Sequence, residues 1–514
     1  MPHNIQMPNN TALRMGALAV LIVCSPPSGR SETKLPAILS SHMVLQRDRP
    51  IHVWGWAAPG EKVAVTMHGA NRETAGDSLG NWSVYLLPES AGGPYQLTVA
   101  GSNRIVLEDV LIGDVWFASG QSNMEMPLKG FPGAPVKDSA REIAGADQPQ
   151  IRLLQIPKKA ADFPLRDSDA SWKVCTPETV TDFSAVAYFF GRELNARERA
   201  PVGLIDATWG GTVAEAWVSL QSISADAGLM PVFAARAGMM QHQSEMAAIL
   251  AEEKREDEAA RQAGRKPSSH EWHPDPASWG PSALFNGMVA PVTPIAIKGV
   301  IWYQGESNSR RAFAPTYGKL FPALIADWRA RWHVGEFPFL FVQIANFTSD
   351  DGEGWAVIRE AQRRTLSVAN TAMAVTVDVG DPDNVHPADK QTVGARLALA
   401  ARALAYGESV EYSGPLFRQA TLEGSALRVW FDHAAGGLMA KGGAVKGFDI
   451  AGDDCRFAAA EARIEGTTVV VTSGGVAEPK YVRYGWANAP VVNLFNSEGL
   501  PASPFTSEDA IPAP

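Results

Sequence analysis

The pattern of hydrophobic and polar positions changes twice along the chain. Between Ile51 and Val110, short runs of alternating apolar and polar residues are separated by turn-forming glycine and proline. From Leu111 onward, buried-looking apolar runs alternate with stretches of helical periodicity, and after Gly414 the short β pattern returns. Short alternating runs predict strands of a small antiparallel sandwich, whereas strands that alternate with helices predict a mostly parallel sheet covered on both faces.

The expected fold is therefore an α/β domain flanked by two β-sandwich-like domains. The 514 residues are too many for one ordinary core. We predict an N-terminal β domain over residues 35–110, an α/β domain over residues 111–410 and a C-terminal β domain over residues 411–514. Residues 244–280, which are charged and then polar, are expected to form a surface insertion in the α/β domain.

Individual elements of the α/β region can be read from the same pattern. The predicted strands cover residues 114–118, 202–206, 299–303, 339–344 and 373–377. The predicted helices lie near residues 184–197, 317–332, 355–368 and 388–406.

The first 29 residues have the pattern of a secretory signal peptide. An acid-free stretch leads into the apolar run Met15–Cys24, which is too short to span a membrane, and small and turn-forming residues follow. We expect a secreted or periplasmic protein that has no membrane segment in its mature form. Cys175 and Cys455 would remain after cleavage, and they can form one disulfide or stay free.

Composition excludes some partners and leaves others open. The formal net charge of -10 gives no basic surface for nucleic acid or anionic lipid. Fifteen tryptophans are compatible with stacking against sugar rings and also with β-rich cores. The sequence contains no Walker loop, no H-E-x-x-H and no paired cysteine motif. Its G-x-S-x-G match at residues 76–80 lacks the following helix that a nucleophile elbow requires.

Three segments that directly follow predicted strands carry candidate chemistry. Ser122 and Ser307 each lie in a G-x-S-N sequence, and His386 follows the strand at residues 373–377 with Asp383 three residues before it. Ligands of open α/β sheets bind at the carboxyl ends of strands. A serine needs a base to attack an ester, and a carboxylate can orient a histidine base. The residues alone predict a serine hydrolase with two candidate nucleophiles.

Several sequence blocks resemble the sialate O-acetylesterase family within the SGNH hydrolases. The blocks next to candidate residues are FASGQSNM (117–124), GLIDATWGGT (203–212), WYQGESN (302–308) and GDPDNVHP (380–387). Further matching blocks are LPAILSSHMVLQ (35–46), VRYGWA (482–487) and EGLPASP (498–504). The resemblance therefore extends over nearly the whole chain that follows the signal segment.

The resemblance implies an SGNH-type three-layer α/β/α domain and hydrolysis of acyl esters without a metal or another cofactor. It selects Ser122 as the nucleophile, His386 as the base and Asp383 as the orienting acid, with Asp381 as a near competitor.

The resemblance also suggests donors for the oxyanion. The expected donors are the backbone N–H groups of Ser122 and Gly211 and one side-chain amide. Gln304 is favoured over Asn308 for the amide because it directly follows a predicted strand. The supporting residues are Gln121, Asn123, Glu306 and Asp381.

The expected substrate is an O-acetylated carbohydrate, most simply an acetylated sialic acid. Acetylated xylan or another plant polysaccharide is the alternative within the same chemistry, and a noncatalytic carbohydrate-binding protein is the alternative from another class. The carboxylate of sialic acid would favour an arginine in the pocket, for which Arg310, Arg311 and Arg359 are candidates. The sequence carries no prediction of oligomeric state.

Overall fold

The structure is a computed structural model that describes residues 32–241, 243–268, 270, 273, 275–349, 352 and 354–512. The predicted signal peptide, residues 1–29, lies outside the described residues. No helix in the described part of the chain is long and apolar enough to cross a membrane.

Short strands, most of them antiparallel, make up the N-terminal region, as the alternating pattern predicts. The strands are β1 (Val44–Gln46), β2 (Ile51–Trp56), β3 (Lys62–Met67), β4 (Ala70–Ala75), β5 (Asn81–Leu86) and β6 (Gly92–Ala100). Strand β2 pairs with β5, and β3 pairs with both β4 and β6. Along β2, buried residues alternate with half-buried ones because successive side chains point to opposite faces of the sheet.

The central sheet combines parallel strands with an antiparallel edge. Its strands are β7 (Arg104–Gly120), β8 (Gln148–Gln155), β9 (Lys173–Cys175), β10 (Val202–Thr208), β11 (Gly299–Tyr303), β12 (Phe339–Val342) and β13 (Thr371–Ala374). They lie in the order β13-β12-β11-β7-β10-β8-β9. Every neighbouring pair is parallel except β8 and β9. The prediction of an α/β protein with further β-rich regions is thereby confirmed.

Strand β7 connects the N-terminal strands to the central sheet. Its first part pairs with β6 and β1, and its second part pairs with β10 and β11. Every residue from Val110 to Gly120 is buried, as expected for a strand that is covered on both faces. The predicted domain boundary between residues 110 and 111 thus falls inside one continuous strand.

Helices connect the strands of the central sheet. They are α1 (Ser122–Glu125), α2 (Ser139–Ala144), α3 (Pro177–Val180), α4 (Ala185–Glu198), α5 (Leu220–Ala225), α6 (Pro231–Gln241), α7 (Gln243–Gln262), α8 (Ala314–Trp332), α9 (Gly354–Thr365) and α10 (Lys390–Leu404). Shorter turns are the 3₁₀ helices Ala214–Trp217, Ala227–Leu229, Ala277–Trp279 and Glu306–Ser309, and the π-helix Phe285–Val289.

Among the helices that contact each other, α4 packs most extensively with α10 and α8 with α9. The first pair packs so closely that a Cβ on Gly394 would lie 2.6 Å from the Cβ of Phe189. The charged stretch that the sequence places in an insertion forms most of α7, and its described side chains are largely exposed.

The C-terminal region is again built from short antiparallel strands. They are β14 (Leu416–Glu423), β15 (Ala426–Asp432), β16 (Leu438–Ala440), β17 (Phe448–Ala451), β18 (Ala458–Ala459), β19 (Glu461–Glu465), β20 (Thr468–Thr472), β21 (Tyr481–Tyr484), β22 (Leu494–Asn496) and β23 (Phe505–Thr506). These strands enclose a hydrophobic core of their own, which contains Val429, Val471 and Phe505. The two cysteines of the described chain are free: Cys175 is buried and Cys455 is exposed.

A buried arginine joins the C-terminal region to the central sheet. Arg359 of α9 is fully buried and donates hydrogen bonds to the carbonyl oxygens of Ile344, Ala345, Ala487 and Asn488. Burial lowers the pKa of Arg359 to about 9, so the guanidinium is still charged at neutral pH. A buried charge is tolerated only when its donors are largely satisfied, and these carbonyl groups accept four of the five N–H donors of the guanidinium.

Candidate active site

A cleft of about 880 Å³ lies at the carboxyl ends of the parallel strands. Its lining comes from the loops that follow β7, β10, β11, β12 and β13, which is where open α/β sheets bind their ligands. The lining includes Gln121, Ser122, Glu125, Phe131, Lys158, Trp209, Gly210, Gly211, Glu306, Ser307, Arg310, Phe347, Trp355 and His386.

Ser122 is held at the cleft by a tight turn at the end of β7. Gly120 has a φ of 135°, and a Cβ at this position would lie 2.1 Å from the carbonyl oxygen of Tyr303 on the neighbouring strand. Only glycine fits there. Ser122 then begins helix α1, where the first backbone N–H groups have no partner within the helix. The serine is half-buried, and its N–H donates no hydrogen bond to any other described residue.

The glycine pair after β10 packs directly against this serine. A Cβ on Gly210 would lie 3.2 Å from the Cβ of Ser122. Gly211 has a φ of 73°, and its carbonyl oxygen accepts a hydrogen bond from the Trp279 indole at 2.7 Å. The N–H of Gly211 donates to no other group in the described part of the chain. Two unpaired backbone donors therefore border the cleft at Ser122 and Gly211.

Glu125 connects the serine helix to the glycine loop. Its carboxylate accepts the N–H of Gly210 and also binds the ammonium of Lys158 at 2.5 Å. Glu125 lies one turn after Ser122 in α1. Its contact with Gly210 therefore fixes the position of the glycine loop relative to the helix that carries Ser122.

His386 reaches the same cleft from the loop after β13. Its ring packs against that of Phe131 at an angle of 65°, with 5.1 Å between the ring centroids, and its Nε2 is buried without a hydrogen-bond partner among the described residues. Burial and the nearby ammonium of Lys390 lower the pKa of His386 to about 4. The ring is therefore neutral at physiological pH, which is the form that can accept a proton.

The two acidic residues before His386 lie on an exposed turn. The N–H of Asp383 donates to the carboxylate of Asp381 at 2.9 Å, and the N–H of His386 donates to Asn384 at 2.9 Å. Within the described residues, neither carboxylate forms a hydrogen bond or an ion pair with the His386 ring. The pairing of Asp383 with His386 stays a prediction.

Gln304 and Asn308 do not line the cleft. The amide of Gln304 donates to the carbonyl oxygen of Thr212 at 3.1 Å and to Asn308 at 2.6 Å. The amide of Asn308 in turn donates to Glu215 at 3.0 Å and accepts from the N–H of Ala214 at 2.8 Å. Both side chains are buried beneath the loop that follows Gly211. Their hydrogen bonds hold that loop in place, and their amide hydrogens face the interior.

A different side-chain amide, that of Gln121, lines the cleft and can donate to a ligand there. Its Oε1 accepts the N–H groups of Ser307 at 3.1 Å and Gly305 at 3.4 Å. Because N–H groups can donate only to the amide oxygen, these contacts determine which way the amide faces. Its Nε2 has no partner within the described structure, and the residue lines the cleft. Sequence reasoning gave Gln121 only a supporting role, although its position next to Ser122 was an available signal.

Asn123, Glu306 and Lys390 form a buried polar chain behind Ser122. Asn123 Nδ2 donates to Glu306 at 2.6 Å and to the carbonyl oxygen of Val385 at 2.9 Å. Lys390 Nζ donates to Asn123 Oδ1. Sequence reasoning identified the first two residues as supporting and missed Lys390, whose signal was its position four residues after His386.

The outer walls of the cleft are aromatic and cationic. The aromatic side chains are Phe131, Trp209, Phe347 and Trp355. Arg310 also lines the cleft, and within the described residues it forms no ion pair. Of the other arginines considered from the sequence, Arg311 is exposed outside the cleft lining and Arg359 is buried in its structural contacts.

Comparisons with known proteins find consistent similarities. Residues 262–403 match the family model described as carbohydrate esterase, sialic acid-specific acetylesterase. The chain is 32% identical to the sialate O-acetylesterase of Homo sapiens, over 79% of this chain and 77% of that protein. It is 30% identical to the protein of the same name from Mus musculus, over 92% and 94%. A crystal structure of a carbohydrate acetylesterase from Xanthomonas citri superposes with a TM-score of 0.80 at 38% identity, over 93% of this chain and 100% of that one.

We predict that His386 titrates well below an ordinary histidine, whose pKa is about 6.5. The expected midpoint is near pH 4, because the charged ring is penalised by burial and repelled by Lys390. Since the unfolded chain binds this proton more readily, the free energy of unfolding should decrease as the pH falls from 6.5 toward 4. NMR titration of ¹³C-histidine-labelled protein measures the midpoint, and the His386→Gln variant identifies the resonance. A midpoint at or above 6.5 would contradict the prediction.

Proposed function

The chain belongs to the sialate O-acetylesterase family and is a carboxylic ester hydrolase, and from this premise we propose that it removes acetyl groups from sugar hydroxyls with Ser122 as its nucleophile. The family resemblance of the sequence blocks is thereby confirmed. One observation carries the proposal: Ser122, His386 and the Gly210–Gly211 turn, which are far apart in the sequence, line the same cleft. The noncatalytic carbohydrate-binding alternative is set aside because the family consists of ester hydrolases.

The proposed reaction is an acyl transfer in two steps. Ser122 Oγ attacks the carbonyl carbon of the acetyl ester while His386 Nε2 takes its proton. The bond between the carbonyl carbon and the sugar oxygen then breaks, and His386 returns the proton to that oxygen. Water attacks the acetyl-serine in the second step, His386 takes a proton from the water, and the proton returns to Ser122 as acetate leaves. A neutral His386 with an unpartnered Nε2 supports this role.

We propose three donors for the negative charge that develops on the carbonyl oxygen. They are the backbone N–H groups of Ser122 and Gly211 and the side-chain amide of Gln121. Gln304 and Asn308, expected from the sequence, would have to give up buried hydrogen bonds to reach the cleft, which costs about 1–3 kcal/mol for each group left unpaired. We therefore assign them to holding the Gly211 loop.

For the acid that orients His386 we keep Asp383, ahead of Asp381. The spacing of three residues supports it, and so does the exposure of the turn that carries it, which leaves the carboxylate able to rotate toward an imidazolium. Contacts between catalytic groups often shorten only when substrate is bound.

The detailed architecture and the route of export belong to the same proposal. We propose an SGNH-type three-layer domain over residues 111–410, supported by the strand order and by the packing of α4 with α10 and α8 with α9. The sandwich-like domains over residues 35–110 and 411–514 and the insertion at 244–280 complete the division. Secretion or export to the periplasm stays a prediction from the N-terminal segment.

For the substrate we propose an O-acetylated sugar that carries a carboxylate, as sialic acid does. The names of the relatives support an acetylated carbohydrate. The choice of a carboxylate rests on Arg310, which lines the cleft and has no carboxylate partner of its own in the described chain. The acetylated units of xylan, the alternative substrate, carry no charge. They therefore offer no carboxylate to the Arg310 guanidinium.

Replacement of the nucleophile tests the proposal. Ser122→Ala should lower kcat for p-nitrophenyl acetate by roughly 10³-fold or more, because the proposed acyl-enzyme forms on the hydroxyl that this variant lacks. Ser307→Ala is the matched control, since this serine lies in the same G-x-S-N pattern and lines the same cleft. It should keep kcat within a few fold. Activity of Ser122→Ala close to that of the wild type would mean that the nucleophile lies elsewhere.

Gln121→Glu tests the side-chain donor. The variant keeps an oxygen for the N–H groups of Gly305 and Ser307, but it replaces the donating amide nitrogen with a negative oxygen. We expect kcat to fall by about 10²–10³-fold with a smaller change in KM. The exposed Gln419→Glu is the control for the added charge. An unchanged kcat would remove Gln121 from the oxyanion site.

Arg310→Met tests the proposed sugar. Loss of a charge-assisted hydrogen bond should lower kcat/KM for O-acetylated sialic acid by about 10-fold or more and leave p-nitrophenyl acetate nearly unaffected. The neighbouring Arg311→Met, which changes a residue outside the cleft lining, is the control. Acetate release from acetylated xylan is measured alongside. Equal loss on both sugars, or a preference of the wild type for xylan, would overturn the choice of a carboxylated sugar.

A further inference from the structure

The buried chain of Lys390, Asn123 and Glu306 is not needed by any step of the proposed reaction. The three side chains are 0%, 1% and 7% exposed, respectively. The chain connects the segments of both proposed catalytic residues, since Asn123 directly follows Ser122 and Lys390 begins helix α10 just after His386. Packing alone does not explain why ionisable side chains are buried at this place.

The hydrogen bonds of Asn123 show what the chain holds. Its amide donates to the carbonyl oxygen of Val385, the residue that precedes His386, and to Glu306 on the loop after β11. Both donations require that Oδ1 faces the opposite way, toward Lys390. The ammonium of Lys390 can only donate, so it selects this orientation of the amide. Lys390 thereby acts on the His386 segment through Asn123.

Burial makes this ammonium costly. It lies 5.6 Å from the centroid of the Tyr303 ring, and the carboxylate of Glu306 attracts it from the other side of Asn123. Burial nevertheless lowers the pKa of Lys390 to about 7 and raises the pKa of Glu306. A well-packed apolar residue at a buried position often stabilises a protein as much as a buried charge does, or more. Stability alone therefore does not account for a lysine at this position.

Resting on the proposed roles of Ser122 and His386, we propose that Lys390 is a positioning residue for the esterase reaction. Its ammonium orients the Asn123 amide, which holds the Val385–His386 segment at the cleft, and its positive charge opposes protonation of the His386 ring. The ionisable groups that face Lys390 are Glu306, His386 and the ring of Tyr303. Asp389, beside it on α10, faces Lys137 instead.

The proposal predicts a shift in the pH profile that loss of packing alone would not cause. Removal of the ammonium ends its repulsion of protonated His386, so the pKa of the base rises. The acid limb of kcat/KM should then move to higher pH, by about one unit. Loss of the Asn123 orientation should also lower kcat by about 10-fold. A purely structural lysine would lower activity in parallel at every pH.

The experiment measures kcat/KM for p-nitrophenyl acetate from pH 3.5 to about 9 in the full chain. Lys390→Met should show the shifted limb, and Lys390→Arg, which keeps the charge and the donor, should keep the limb near that of the wild type. Lys137→Met is the matched control, because it removes an exposed ammonium next to the same helix. If Lys390→Met does not fold, Lys390→Gln keeps an N–H donor and should still show the shift.

The outcomes distinguish this inference from the proposed function. A limb that does not move in folded Lys390→Met and Lys390→Gln, or one that moves equally in Lys137→Met, overturns the positioning role. Full activity of Ser122→Ala would instead overturn the mechanism on which the inference rests. A shift in both Lys390 variants with an unchanged limb in Lys137→Met supports the inference.

Discussion

The candidate site depends on one close contact, the approach of the end of strand β7 to the end of strand β11. At Gly120 the two backbones are so near that a Cβ would lie 2.1 Å from the carbonyl oxygen of Tyr303. The N–H of Gln121 donates to that oxygen at 3.0 Å. The side chain of Gln121 then reaches the N–H groups of the loop after β11. Sterics alone exclude any side chain at Gly120.

Buried charges act around this junction in different ways. Arg359 is surrounded by carbonyl oxygens that accept nearly all its donors, so its charge joins two parts of the chain without affecting the cleft directly. Lys390 has few partners and stands close to His386, so its charge is felt by the ring. In a low-dielectric interior the cost of a charge and its influence on neighbours increase together. The poorly compensated charge, that of Lys390, thus lies close to His386, which must be neutral to act as a base.

Much of this arrangement could be predicted from the sequence because it depends on local pattern. The strand Gly299–Tyr303 and the helix Ala185–Glu198 lie where apolar runs and helical periodicity indicate. Sequence order also predicted that the loops carrying Ser122 and His386 meet, since parallel strands end at the same edge. The orientation of an amide is not local. Gln304 looked suitable because it follows a strand, but Tyr317, Thr212 and Asn308 surround it in the interior.

The limits of the N- and C-terminal regions depend on contacts that a local sequence pattern does not show. Strand β7 has two burial patterns: burial alternates in its first part and is continuous in its second. The sequence shows the change of pattern, but it does not show that one strand continues through it. At the other end of the chain, Asn488 of the C-terminal region donates to the carbonyl oxygen of Ser349 and accepts from Arg359. Phe347, which lines the cleft, donates its N–H to the carbonyl oxygen of Asn488. A wall of the cleft is thus supported by a region whose sequence pattern shows only a separate β structure, so removing that region would alter the cleft as well as the core.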